Sequence, residues 1–309
     1  MKRRSTFAAM ALGTVAALVI SACSSSGSSG SGSSSSSPSG TAGYNAGLNG
    51  VVNPSDAKGG TLTLALSAAP DSFDPGNTYY AWVLDLNNLW DMPLFMYKAC
   101  PGTCGAQLAP DLATDMGTVS DNGLTWTFHI QPKVKYEDGT VVTTQDVKYG
   151  IERTYDRSVM ANGPSYYQAL LADPKYPGPY KDKNPAGLTS VQTPDPTTIV
   201  FHLVAPFPDL PYVLAFPSTA PVPPAKDTGS NYQLHPLSTG PYLFKSYTLN
   251  KQLILVPNPQ WNPATDPNAV QQPIVDVSLV HVQVHDDLAR ELLGVGIGRG
   301  VPVRVRHQR

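Results

Sequence analysis

The chain has 309 residues, 41% of them hydrophobic, and a formal net charge of -2 at pH 7. That is enough apolar material for one or two domains with a sizeable core, and the near-neutral balance gives no reason to expect nucleic acid or an anionic surface as a partner. Thirty prolines and 26 glycines point to many turns and few long helices.

Lys2, Arg3 and Arg4 precede an apolar run from Phe7 to Ile20, which leads into Ser21, Ala22 and Cys23. A basic start, an apolar stretch too short to span a membrane and small residues before a cut predict a secretory signal over residues 1–22. With a cysteine immediately after the small residues, the junction resembles the lipobox of bacterial lipoproteins. That resemblance implies that Cys23 is lipidated, becomes the new N-terminus and holds the protein outside the cytoplasmic membrane. The alternative is an ordinary cleaved signal with Cys23 incidental, against which stands the liability of an exposed free thiol. From Ser24 to Thr41 every residue is Ser, Gly, Pro or Thr. Residues 23–58 therefore read as the lipidated cysteine and a disordered tether, whose low-complexity part has a reach of roughly 23 Å.

Past the tether, Thr61 to Leu66 alternates as a half-buried strand does. The turn-rich segment Pro70 to Gly76 delivers Tyr79, Tyr80 and Trp82 into the start of a helix, and Trp90, Leu94, Phe95 and Tyr97 extend the apolar periodicity. Cys100 and Cys104 enclose Pro101, Gly102 and Thr103, a turn-forming spacer. In an exported chain that pair predicts a structural disulfide, and no further metal ligand lies in sequence reach. Asp121-Asn122-Gly123 precedes the alternation of Trp126, Phe128 and Ile130, which predicts a hairpin. A second hairpin is predicted from Val134, Tyr136, Asp138-Gly139 and Val141. Thr143 and Asp146 have capping-box spacing ahead of a helix with Val147, Ile151 and Tyr155 on one face.

Prolines and glycines thicken from Tyr176 to Pro196, marking a crossing between subdomains. Ile199, Phe201 and Leu203 predict a strand, a proline-rich loop runs from Pro206 to Pro224, and Ser238-Thr239-Gly240-Pro241-Tyr242 leads into a further strand with Leu253 to Val256 as its hairpin partner. Mixed helices and strands without a repeat give an α/β or α+β architecture. Residues 24–289 hold two arginines and eleven lysines, whereas residues 290–309 hold five arginines and no lysine. So abrupt a switch reads as translation in a wrong frame, with a genuine basic tail as the alternative.

These stations, in this order, resemble the family 5 extracellular solute-binding proteins, the dipeptide and oligopeptide receptors of ABC importers. The stretches that carry the resemblance are GGTLTLALSAAPDSFDP at 59–75, the long block from Leu108 to Arg153, TPDPTTIVFHLVAPFPDLPYVLAFPSTAPVP at 193–223 and STGPYLF at 238–244. The resemblance implies a periplasmic-binding-protein-like fold of two lobes with an inserted subdomain. On it, lobe one takes residues 59–93 and 185–270, the inserted subdomain 94–184 and the start of lobe two 271–287. The tail 288–309 is read as aberrant, with most of the second lobe missing. It further implies a lipid-anchored protein that does no chemistry, uses no cofactor, captures a peptide outside the membrane and delivers it to a permease driven by an ATPase. Nickel complexes, haem, opines and oligosaccharides are the alternative cargoes of the family. The segment after SFDP forms a ligand edge in such receptors and maps onto Asn77, Thr78, Tyr79, Tyr80, Ala81 and Trp82, where aromatic side chains offer apolar area with a polar tip.

An enzyme reading has its own motifs. Ser55-Asp56-Ala57-Lys58 fits the S-x-x-K of penicillin-recognising enzymes and Ser120-Asp121-Asn122 an S-D-N, which would make the chain a lipid-anchored serine hydrolase. The K-T-G element is missing, however, and Lys58 is followed by two glycines instead of a helix. His281, His285, Asp286 and Asp287 suggest a metal, but along a strand four residues separate the two histidines by ~13 Å, too far for one ion.

Overall fold

Thr–Leu alternation over 61–66 produces the first strand of a computed structural model that describes residues 60–266, apart from 67, 183 and 250, together with the backbone of 276–281. The signal, Cys23, the tether, Ser55, Lys58, His285, Asp286, Asp287 and the arginine-rich tail lie outside the described residues. In chain order the elements are β1 (Thr61–Leu66), α1 (Ala81–Asn87), β2 (Phe95–Tyr97), β3 (Leu108–Pro110), β4 (Thr118–Ser120), β5 (Thr125–His129) and α2 (Thr144–Arg153). They continue with α3 (Tyr166–Leu170), β6 (Val191–Asp195), β7 (Thr198–His202), α4 (Leu210–Val213), β8 (Tyr242–Thr248), β9 (Gln252–Pro257) and β10 (Asp276–His281).

Two four-stranded sheets organise these elements. In the first, of order β1-β10-β9-β8, β10 runs parallel to β1 and antiparallel to β9. Its core gathers Phe73, Val83, Trp90, Phe244 and Leu255. Phe73 meets Trp90 and Phe244 edge to face with ring centroids 5.7 and 5.8 Å apart, the favoured offset for aromatic quadrupoles.

The second sheet has the order β4-β5-β7-β6, all antiparallel. The turn from β4 to β5 places Asp121, Asn122 and Gly123 at φ 50, 55 and 92, left-handed values that asparagine, aspartate and glycine tolerate best. Trp126 and Phe128 on β5 and Ile199 and Phe201 on β7 point into one core, where Val147 and Ile151 of α2 cover them. The capping box starts α2 as its spacing predicts: the Thr143 N–H donates to Asp146 Oδ2 at 2.8 Å. Gly150 lets this helix lie against the chain at 218–220, because a Cβ there would sit 2.6 Å from the Ala220 carbonyl oxygen. The second predicted hairpin is present as a bridge between Lys135 and Val141, closed at Asp138-Gly139.

Three expectations need correction. The helix after the turn-rich segment stops at Asn87, and Phe95 and Tyr97 belong to β2, which pairs with β3. Asn87 and Asn88 end the helix and Pro93 follows, so the apolar spacing past Trp90 serves a strand. The expected border at 184/185 cuts through the second sheet, since β5 from the supposed insert pairs residue for residue with β7. Finally, 276–281 does not open a second lobe: ladder hydrogen bonds seat it between β1 and β9.

Candidate functional site

The segment joining β1 to α1 is fixed by two carboxylates that face opposite ways. Asp71 accepts from the Thr78 hydroxyl at 2.7 Å and from the backbone N–H groups of Tyr79 and Tyr80 at 2.7 and 3.3 Å. It thereby satisfies donors just ahead of α1 that the helix leaves open. Asp74 turns inward and takes both arms of the Arg153 guanidinium, Nη1 at 2.9 Å and Nη2 at 2.6 Å. Arg153 is fully buried, reaches Asp227 at 3.2 Å through Nε and Nη2, and stands 4.7 Å from the centroid of the Tyr232 ring. Burial pushes Asp227 up, but the Arg153 charge and the hydroxyls of Tyr180 and Tyr149 outweigh it and hold the carboxyl below its usual range.

With its root fixed in this way, residues 77–80 project toward the second half of the molecule. Asn77 Oδ1 accepts the Asn162 N–H at 2.9 Å, and Gly163 packs so closely on the Gly76 carbonyl that a Cβ would collide with it. The Tyr79 ring lies parallel to Phe216, centroids 6.0 Å apart, and its hydroxyl hydrogen-bonds that of Tyr166.

Beyond this aromatic stack opens a cavity of about 500 Å3, within the usual size of small-molecule sites. Its walls are α1 through Ala81, Leu84 and Asp85, the stretch at Asp91 and Met92, Met96 and Tyr97 of β2, and Tyr212 and Phe216 from α4 and the turn after it. Asp91 is 2% exposed, with Asn87 Nδ2 donating to its Oδ2 at 2.8 Å. Burial pushes the Asp91 carboxyl well above the ordinary carboxylate range, a rise that the Asn87 hydrogen bond opposes only in part and that the negative charges of Asp74 and Glu137 add to. A smaller cavity of about 210 Å3 lies beside Tyr79, Tyr166 and the 162–165 turn.

The six residues expected at the ligand edge have different fates. Ala81 lines the larger cavity and Tyr79 the smaller one, while Tyr80 is exposed. Thr78 is buried on Asp71, Asn77 is tied to Asn162, and Trp82 packs against the first core. Sequence reasoning missed Asp85, Asp91, Met96, Tyr212 and Phe216. Only Asp91 carries a local signal, a lone charge in the apolar run from Leu89 to Phe95. Cys100 and Cys104 are bonded, Cα atoms 5.7 Å apart, at the turn between β2 and β3. The S-D-N match is the β4–β5 turn itself. Among the described residues no group of three or more His, Cys, Asp or Glu is placed to hold a metal.

Residues 107–291 match the family described as bacterial extracellular solute-binding proteins, family 5. A probable D,D-dipeptide-binding periplasmic protein from Escherichia coli K12 is 29% identical over 220 residues, covering 67% of this chain and 37% of the relative. The periplasmic oligopeptide-binding protein OppA of the same strain is 32% identical over 147 residues, 45% of this chain and 26% of that protein. Among solved structures, clavulanic acid biosynthesis oligopeptide binding protein 2 superimposes with a TM-score of 0.76 at 41% identity, over 84% of this chain and 48% of that one. Listeria monocytogenes OppA bound to peptide has a TM-score of 0.61 at 20% identity over 76% of this chain and 45% of that one, a likeness of fold alone. The chain thus spans half or less of each of these proteins. With its mixed sheets and the family match running over more than half its residues, the chain belongs to the family 5 bacterial extracellular solute-binding proteins.

Proposed function

We propose that this chain captures peptides outside the cell membrane, as part of the substrate-binding component of an ABC importer, and hands them to a permease. The observation that carries the reading is the cavity of about 500 Å3 beside the segment at 77–82, whose rim combines exposed tyrosines with carboxylates and whose root is locked to the core by the Asp74–Arg153 pair. Such a rim offers broad apolar contact with polar tips, which suits a ligand of constant backbone and variable side chains. The names of the relatives point the same way, to dipeptide, oligopeptide and glutathione binding. The Cys100–Cys104 bond fits an oxidising compartment, and the Cys23 junction fits a lipid anchor on the outer membrane face.

Thermal unfolding of the full chain against a panel of di- to pentapeptides tests the reading. A peptide present at 100 times its Kd stabilises by about 2.7 kcal/mol, or roughly 5–10 °C for a body of this size. A flat response across the panel, glutathione included, overturns it. Metabolic labelling with an alkyne fatty acid tests the anchor: the wild type takes the label and Cys23→Ser does not.

A further inference from the structure

The larger cavity is rich in acceptors and poor in donors. Asp85, Asp91, Asp111 and Asp266 reach it from three separate stretches of chain, and no Lys, Arg or His is among the described residues that line it. Behind the wall, the fully buried Asn87 gives its amide N–H to Asp91, and its own Oδ1 has no hydrogen-bond partner. A carboxyl group offers about four lone-pair directions, so the Asn87 amide at 2.8 Å leaves Asp91, which lines the cavity, able to accept further donors. Buried acceptors left in that state are costly, and the groups that relieve them best are cationic donors. Leu84, Met92 and Met96 line the same space, supplying apolar contact of the kind an alkyl stem needs.

We propose that this cavity is a pocket for a cationic side chain of the bound peptide, a guanidinium or an ammonium on its alkyl stem, with Asp91 as the carboxyl that recognises it. The proposal rests on the peptide-binding reading and narrows its cargo to basic peptides. A guanidinium matches the wall better than an ammonium, because its planar fork carries five N–H donors for Asp91 and its neighbours. Tyr97, Tyr212 and Phe216, which also line the cavity, add aromatic faces for the same cation.

The test is calorimetric titration of the full chain with alanine tripeptides that carry one arginine at each position in turn, and with the same peptides carrying citrulline, which keeps the shape and removes the charge. The expected result is at least a tenfold preference for arginine over citrulline at one position. Asp91→Asn, which keeps the shape of the wall, should reduce the preference to below threefold. Met96→Lys, which puts the protein's own ammonium into the cavity, should weaken arginine peptides at least tenfold and gives a readout independent of Asp91. If citrulline peptides bind within threefold of arginine peptides at all positions, the cationic pocket is wrong and the peptide-binding reading stands. If the preference persists in both variants, the cation is recognised elsewhere and the proposal falls. If no peptide binds, both readings fall together.

Discussion

Replacing Arg153 by methionine should be among the most damaging single changes available in this chain. Methionine keeps an unbranched stem of similar length and removes the charge, so the steric part of the change is small. What remains is Asp74 and Asp227, with side chains 2% and 3% exposed, facing a sulfur where four charged hydrogen bonds had been. Removing one partner of a buried ion pair costs about 3–5 kcal/mol, because the other charge is stranded. At roughly 2–4 °C per kcal/mol for a body of this size, the midpoint of unfolding should fall by about 6–20 °C at pH 7, followed by far-UV circular dichroism. Asp227 sets the sign of the pH dependence: its folded pKa lies below the unfolded one, so its stabilisation is present above the unfolded pKa and lost as pH falls through the folded pKa. The gap between wild type and variant should therefore narrow as pH falls through the folded pKa of Asp227, where that carboxylate takes up its proton. A triple variant with Asp74→Asn and Asp227→Asn beside Arg153→Met should recover part of the loss, since no uncompensated charge is left. A single variant that melts within about 3 °C of wild type at pH 7 would refute the reasoning.

Asp91 predicts the opposite pH behaviour: its folded pKa is raised, so its stabilisation is complete below the unfolded pKa and lost as pH rises through the folded one. Asp91→Asn should then gain on wild type as pH rises above the ordinary carboxylate range in the same melting assay, and a difference that is constant with pH would contradict the assignment. The Cys100–Cys104 bond should show as a two-hydrogen mass gain on reduction of the exported chain. Because it closes so short a loop, Cys100→Ser with Cys104→Ser should cost no more than about 2 kcal/mol by chain entropy, and a loss well above that would mean the turn has a further role.

Elements whose cause is local were legible in the sequence. The capping box at Thr143 and Asp146, the left-handed turn at Asp121 to Gly123 and the pairing of Tyr242–Thr248 with Gln252–Pro257 each depend on residues close together in sequence. Apart from the end of α1, which Asn87, Asn88 and Pro93 set locally, the failures are long-range. Nothing near Asp276 says that its strand slots between β1 and β9, because that choice depends on the vacant ladder those two strands present. The border at 184/185 failed for the same reason: a glycine- and proline-rich stretch looks like a crossing whether the chain leaves the sheet or returns to it. At the candidate site, the sequence singles out residues 77–82 but not the face each side chain takes. Seen alone, residues 77–82 do not reveal that Asp71 binds the N–H groups of Tyr79 and Tyr80, and so which of their side chains turns toward Phe216.

The buried carboxylates sort this molecule into a part that holds and a part that receives. Asp74 and Asp227 share Arg153, Asp156 takes the Lys181 ammonium at 2.8 Å, and Glu152 pairs with Lys148 while accepting the Leu188 N–H at 2.8 Å. Each of these acids meets its cation from within the chain, and each joins segments far apart in sequence or braces a helix. Asp91 is buried to a similar degree, yet it accepts the Asn87 amide and pairs with no cation among the described residues, and it stands on the wall of the 500 Å3 cavity beside three further carboxylates. A fold that supplies internal cations to Asp74, Asp227, Asp156 and Glu152 has the means to supply one here, and a lysine at Met96 would do it. Burial pushes the Asp91 carboxyl up, so its charged form costs stability, and a cation placed against it from outside would offset that cost.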